Sequence, residues 1–108
     1  MAKGFGGRGN LFKQAQEMQS KLARVQEELA RKTVEASSGG GMVRVTVNGQ
    51  LGLASIKIDP AVINPVEREM LEDLVLAAVN EGLRLAREMA AEEMSKITGG
   101  MKIPGLTP

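Results

Sequence analysis

Between Leu11 and Leu29, apolar side chains fall at Leu11, Ala15, Met18, Leu22, Val25 and Leu29, with spacings that alternate strictly between four and three. At about 100° per residue these positions make one narrow stripe, the spacing of a coiled-coil seam. Lys13, Glu17, Lys21, Arg24, Glu27, Glu28 and Arg31 fall on the opposite side. The pattern predicts a helix from an Asn10 cap to about Lys32, ~33 Å long, whose seam wants a second helix as partner.

The period then changes to two. Thr33 to Ser37 reads as a short strand, and Ser37 to Gly41 as a loop. From Met42 to Asn48, Val43, Val45 and Val47 alternate with Met42, Arg44 and Thr46. Asn48-Gly49 is a strong hairpin signal, because both residues accept a positive φ. The return strand runs from about Leu51 to Ile58, with Ala54, Ile56 and Ile58 on one face and Lys57 on the other. A three-stranded antiparallel meander with one buried face needs a cover.

Asn64-Pro65-Val66-Glu67 supplies that cover's start: a cap, a proline at the first helical position and a glutamate at the third. The helix runs unbroken to Thr98, before Gly99-Gly100, and at ~50 Å part of it must overhang. It has two apolar stripes. Leu71, Leu74, Val75, Ala78, Leu85 and Met89 form one; Leu76, Val79, Leu83, Ala86, Ala90, Met94 and Ile97 form the other. One covers the sheet and the other faces outward, which predicts a two-fold homodimer. Gly82 within this helix costs about 1 kcal/mol relative to alanine. It fits either a close helix contact or a neutral, tolerated glycine. The expected fold class is α+β, a single domain over residues 10–98. A flexible basic arm over residues 1–9 precedes it and a mobile tail over residues 99–108 follows.

Composition narrows the chemistry. The chain of 108 residues has no cysteine, histidine, tryptophan or tyrosine, and its only aromatics are Phe5 and Phe12. Disulfides and cysteine-based metal sites are excluded, and the commonest general base is missing. Ser20, Ser37, Ser38, Ser55 and Ser95 have no histidine to activate them. The adjacent pairs Glu27/Glu28 and Glu92/Glu93 point about 100° apart on expected solvent faces, as charged helix surface does. Gly4 to Gly9 follows no strand and precedes no Gly-Lys-Ser/Thr, so it is not a phosphate-cradling loop. No enzyme, cofactor, metal or small-molecule substrate is expected. No apolar run approaches ~18 residues, so no membrane span is expected and the cytoplasm is the default.

The net charge of +1 hides an asymmetry. Residues 1–32 carry seven basic and three acidic side chains, residues 33–65 balance, and residues 66–108 carry five basic and eight acidic. Lys13, Arg24 and Arg31 lie within about 20° of one another opposite the seam, Lys21 flanks them, and Lys3 and Arg8 precede them. Such a stripe, diluted by Glu17 and Glu27, fits a nucleic-acid surface or an ordinary solvated coiled-coil face. Without stacking aromatics, a nucleic-acid partner would be duplex DNA held by its phosphates with little sequence readout. The alternative function is a coiled-coil protein-interaction adaptor without direct DNA contact.

Several segments, in order and spacing, resemble the YbaB/EbfC nucleoid-associated proteins of bacteria. They are Gly9-Asn10-Leu11 with Lys13 to Gln16 and Met18-Gln19; Val43 to Gly49; Ile58-Asp59-Pro60; Glu69 to Leu74 with Ala77-Ala78 and Asn80; and Met94 with Gly99 to Met101. The resemblance covers nearly the whole chain. It implies a homodimer whose helices project like tweezer jaws, and binding of duplex DNA with low sequence preference in the cytoplasmic nucleoid. It also implies contacts through the projecting helices, here Lys13, Lys21 and Arg24, with Lys3 and Arg8 from the arm; Arg31 is a further candidate from its place in the basic stripe. Arg84, Arg87 and Lys96 are secondary candidates on the long helix. Glu88, Glu92 and Glu93 make that helix more acidic than such a role favours.

Overall fold

The computed structural model describes the backbone of residues 2–98 and the side chains of residues 9–97. Helix α1 (Ala2–Arg31) leads into strands β1 (Thr33–Ser38), β2 (Val43–Asn48) and β3 (Leu53–Ile58), and helix α2 (Arg68–Thr98) closes the chain. The sheet is antiparallel with strand order β1-β2-β3. This is the expected α+β arrangement of helix, meander and long helix.

Alternation builds the core. Val34 and Ala36 of β1 pair across from Val47 and Val45, so their side chains share one face with Val43 of β2. Val43, Val45 and Val47 are almost completely buried, and Ala78 and Ala86 of α2 lie on them. Gly82 is the point of closest approach. A Cβ there would sit 2.8 Å from Val47 Cγ2 and 3.0 Å from Val45 Cγ2. Gly82 is therefore a contact glycine, the first of the two readings its sequence position allows. Ser38 Oγ donates to the Leu74 carbonyl (2.5 Å), fixing the other end of the helix–sheet contact.

Helix α2 draws on both of its stripes for this contact. Leu71, Leu74, Val75 and Leu85 pack on the core from one, Val79, Leu83 and Ala86 from the other. A helix lying on a sheet meets a broader surface than a helix lying on a helix, so the stripes merge there. Helix α2 covers β1 and β2, and β3 is left at its side. Leu53 (44% exposed) and Ile56 (42%) pair with Val47 and Val45 and so share their face, but no helix among the described residues lies over them. Beside the sheet, the exposed apolar surface thus lies along β3, and in the second stripe of α2 Leu76 is the exposed large residue; Leu11, Phe12 and Met18 of α1 are exposed as well.

Four local expectations are corrected. Helix α1 begins at Ala2, so Asn10 lies inside it rather than capping it, and residues 2–9 continue its backbone instead of forming a separate arm. Once a helix exists, propagation through glycine costs far less than nucleation. The Asn48-Gly49 turn is a three-residue loop. Asn48 N–H donates to the Gly52 carbonyl (2.8 Å), Leu51 N–H donates to the Asn48 carbonyl (3.0 Å), and Leu51 takes the left-handed position at φ 65°. Asn48 serves through its side chain, whose Oδ1 accepts from Gln50 N–H and Gly52 N–H at 2.9 Å each. A bulge follows, because the register shifts between Thr46 and Val47, so Leu53 replaces Ala54 on the Ile56 and Ile58 face. Finally, Asn64 Oδ1 accepts from Val66 N–H (3.0 Å) as a cap, but the turn it caps, Pro65–Glu67, is a 3-10 turn that passes into α2 at Arg68. The expected tail, residues 99–108, lies outside the described residues.

Candidate nucleic-acid interface

The molecule is an elongated body, 79 × 23 × 16 Å. Its length comes from α1, which packs on the rest only near its end. Leu29 is buried and Val25 and Leu22 are half-buried, whereas every described side chain from Gly9 to Lys21 is exposed. The overhang expected of α2 therefore belongs mainly to α1.

Three sets of contacts aim this projecting helix. Gly49 N–H donates to the Leu29 carbonyl (2.8 Å) and the Lys32 carbonyl (3.0 Å), and Gln50 Nε2 donates to the Gln26 carbonyl (3.0 Å). Gly49 thereby satisfies the Leu29 carbonyl, which the end of α1 leaves without an intrahelical partner, and Gln50 adds a second bond to the Gln26 carbonyl one turn earlier. The approach is close: a Cβ on Gly49 would lie 2.9 Å from the Leu29 carbonyl oxygen. On the other side, Lys32 Nζ lies 2.7 Å from Glu93 Oε1 of α2, and Lys96 Nζ lies 3.2 Å from the same oxygen. Hydrogen bonds from Lys32 and then Lys96 hold the Glu93 carboxyl below its ordinary range, against the effect of burial. The hydrogen bond to Glu93 likewise raises the Lys32 ammonium.

Glu93 corrects another expectation. It is only 8% exposed, not on a solvent face. The signal was present: Leu83, Ala86, Ala90, Glu93 and Ile97 continue a three-four spacing, which places a carboxylate at a seam position. Neither Gly49 nor Gln50 announced its role, since contact with a helix end is a tertiary property.

On the exposed part of α1, Lys13, Gln16, Glu17, Ser20, Lys21 and Arg24 line one continuous shallow groove. The structure thus brings three expected residues together, with Glu17 among them. Arg31 lies on the same side two turns further along, exposed near the body. Lys13, Lys21, Arg24 and Arg31 make no ion pair among the described residues. The side chains of Lys3 and Arg8 lie outside the described residues.

The secondary candidates fare differently. Arg84 is clamped between Glu81 (2.5 Å) and Glu88 (2.7 Å), and Lys96 shares Glu93 with Lys32. The hydrogen bond to Arg84 lowers the Glu81 carboxyl. Arg87 is exposed and borders an apolar cleft of about 540 Å³ between α1, the hairpin loop and α2, together with Leu29, Leu51, Ala90 and Met94. No helix among the described residues is long and apolar enough to cross a membrane, and no acidic cluster among them has the makings of a metal site.

Residues 5–101 match the YbaB/EbfC DNA-binding family. A nucleoid-associated protein of Syntrophobacter fumaroxidans is 57% identical over 106 residues, covering 98% of this chain and 93% of the relative. One from Thermoanaerobacter sp. (strain X514) is 60% identical over 97 residues, covering 90% and 87%. In fold, the chain is similar to the crystal structure of an uncharacterized protein from Helicobacter pylori, with a TM-score of 0.74 and 24% identity over 82% of this chain and 94% of that one. With an exposed basic helix on a helix–meander–helix body and relatives of this closeness along nearly its whole length, the chain belongs to the YbaB/EbfC family of nucleoid-associated DNA-binding proteins.

Proposed function

We propose that the protein acts as a homodimer in the cytoplasm, in the nucleoid, and binds duplex DNA with little sequence preference through the basic side of α1. Lys13, Lys21, Arg24 and Arg31 contact phosphates, and Lys3 and Arg8 extend the contact toward the start of the helix. One observation carries the assignment. On α2, Arg84 and Lys96 are committed to carboxylates and Arg87 borders the apolar cleft, whereas Lys13, Lys21, Arg24 and Arg31 of α1 are exposed and make no ion pair among the described residues, on a helix whose outer part stands clear of the body. Lysine and arginine on a helix flank suit the sugar-phosphate backbone and carry little base information.

Dimerisation is supported by the apolar strip along β3. Leu53 and Ile56 continue the core face beyond the edge of α2, with Leu51 (43% exposed) beside them at the hairpin. Pairing two chains there covers this strip and gives DNA two copies of the basic helix.

Gel-shift titration of a random-sequence duplex over a salt series, with light scattering in parallel, tests both parts. The expected result is a dimer whose log affinity falls linearly with log salt, by about 0.9 per phosphate neutralised. Affinity that is independent of salt refutes the phosphate contact, and a monomer at working concentration refutes the doubled grip.

A further inference from the structure

The seam of α1 is longer than the surface that covers it. Its near end, Val25 and Leu29, packs into the body, and Leu22 is half-buried at the edge; the part beyond it is exposed. Leu11 is 68% exposed and Met18 43% exposed, although the four-three spacing continues through them without a break, and Phe12 on the flank of the seam is also 68% exposed. Lys13 and Arg24 lie on the opposite side of the same helix. One projecting helix therefore carries two surfaces that adjoin at Lys21, on the flank of the seam, and the DNA reading uses only one.

We propose that the far half of the seam is a docking surface for α1 of a second molecule, packed antiparallel, and that this contact joins DNA-bound molecules into bridges between duplexes. This rests on the DNA-binding function proposed above and adds how bound molecules are connected.

Self-complementarity is what selects a second copy as the occupant. In the antiparallel register centred between Gln16 and Glu17, Leu11 meets Leu22 of the other copy and Ala15 meets Met18. Small thus faces large in the two middle layers, as interdigitating knobs require. The flanking positions then place Phe12 beside Gln19 and Gln14 beside Lys21, so no two like charges meet. Both basic sides stay turned outward, toward different duplexes.

The contact is also the right size to depend on DNA. About four layers over ~17 Å of helix bury far less than the roughly 1,200 Å² of a stable interface. Free molecules associate weakly through it. DNA holding many copies side by side raises their effective concentration enough to populate it.

The test compares the full-length protein with a Leu11→Gln, Phe12→Gln, Met18→Gln variant, changed only at exposed positions. Gel shift on one short duplex reads DNA binding, and recovery of a labelled duplex by the same duplex on beads reads bridging. The expected variant binds single duplexes within about twofold of the original but recovers about tenfold less labelled DNA. Unchanged recovery overturns the proposal, as does an original protein that binds but does not bridge. A variant that falls from dimer to monomer in light scattering assigns the seam to the dimer's own interface, and retention of bridging only with an added protein assigns it to another partner; either overturns it. An original protein that fails the gel shift instead defeats the underlying DNA reading. A second arm avoids disrupting the seam. Because the chain has no cysteine of its own, an Ala15→Cys protein and a Met18→Cys protein can be mixed on DNA with a mild oxidant. Cross-linking of the mixture above either protein alone is expected, and equal cross-linking of all three overturns the register.

Discussion

Lys32, one residue past α1, and Glu93, in the last turns of α2, form an ion pair at 2.7 Å across a sequence separation of 61. With Leu29 buried beside it and the hairpin loop bonded to the carbonyls of Gln26, Leu29 and Lys32, this pair makes the root of α1 rigid while its outer part stands free. The direction of the basic helix is thus set by residues outside its basic stripe.

The pair has a pH signature. Glu93 is held below its ordinary carboxyl value, so its share of stability is complete above that value of 4.5 and is lost as pH falls through the lower folded value. Lys32 is raised above 10.5, so its share is present below that pH and is lost as pH rises through the higher folded value. Thermal unfolding against pH is expected to show Glu93→Gln as less stable than the original at pH 7 and less sensitive to acid. Parallel acid limbs for the two proteins contradict the pairing.

Gly82→Ala separates contact from propensity. Alanine gains about 1 kcal/mol as a helix former, while a methyl group driven against the stiff Val47 and Val45 side chains costs about 1–3 kcal/mol. The contact is expected to win, giving a lower unfolding temperature, and Gly82→Val is expected to lower it further. A raised temperature for Gly82→Ala would mean that α2 lifts from the sheet without cost.

Gly49→Ala meets Leu29 Cδ2, a side-chain end that can move, at 2.6 Å, and also Leu29 Cβ and the Leu29 backbone carbonyl oxygen, which cannot easily move, at 2.9 Å each. Loss of about 1–3 kcal/mol is expected, together with faster hydrogen exchange at the end of α1, where Gly49 N–H no longer reaches Leu29. Unchanged exchange there would show that the loop does not hold the helix.

Leu53→Asp with Ile56→Asp places charge on the uncovered part of the core face. Both residues are exposed in the single chain, so the subunit is expected to fold, and light scattering is expected to show monomers. A variant that remains dimeric moves the interface away from β3.

Much of this was legible in the chain. Local periodicity specified β1, β2 and the existence of α2, because the pattern of Val43, Val45 and Val47 and the apolar spacing after Arg68 are properties of neighbouring residues. The basic stripe of Lys13, Lys21 and Arg24 was equally legible, since a helix surface follows directly from spacing. What depended on contact was not. The contact of Gly82 with the sheet, the docking of Gly49 on Leu29 and the burial of Glu93 all arise where distant segments meet. The bulge that exchanges Ala54 for Leu53 came from a three-residue loop that Asn48-Gly49 alone does not distinguish from a two-residue one.

The placement of the DNA contact is tested most directly by removing the same charge from two places. Lys13→Ala, Lys21→Ala, Arg24→Ala and, separately, Arg44→Ala, Lys57→Ala, Arg84→Ala each remove three positive charges from a chain of net charge +1. Arg44 and Lys57 face each other on the polar side of the sheet, and Arg84 is held by Glu81 and Glu88. In gel shifts over a salt series, the α1 variant is expected to lose most of its affinity and to flatten the salt slope by about 5 for a dimer. The sheet-and-α2 variant is expected to stay near the original. Equal losses from both variants, or a larger loss from the second, contradict the assignment of DNA binding to α1.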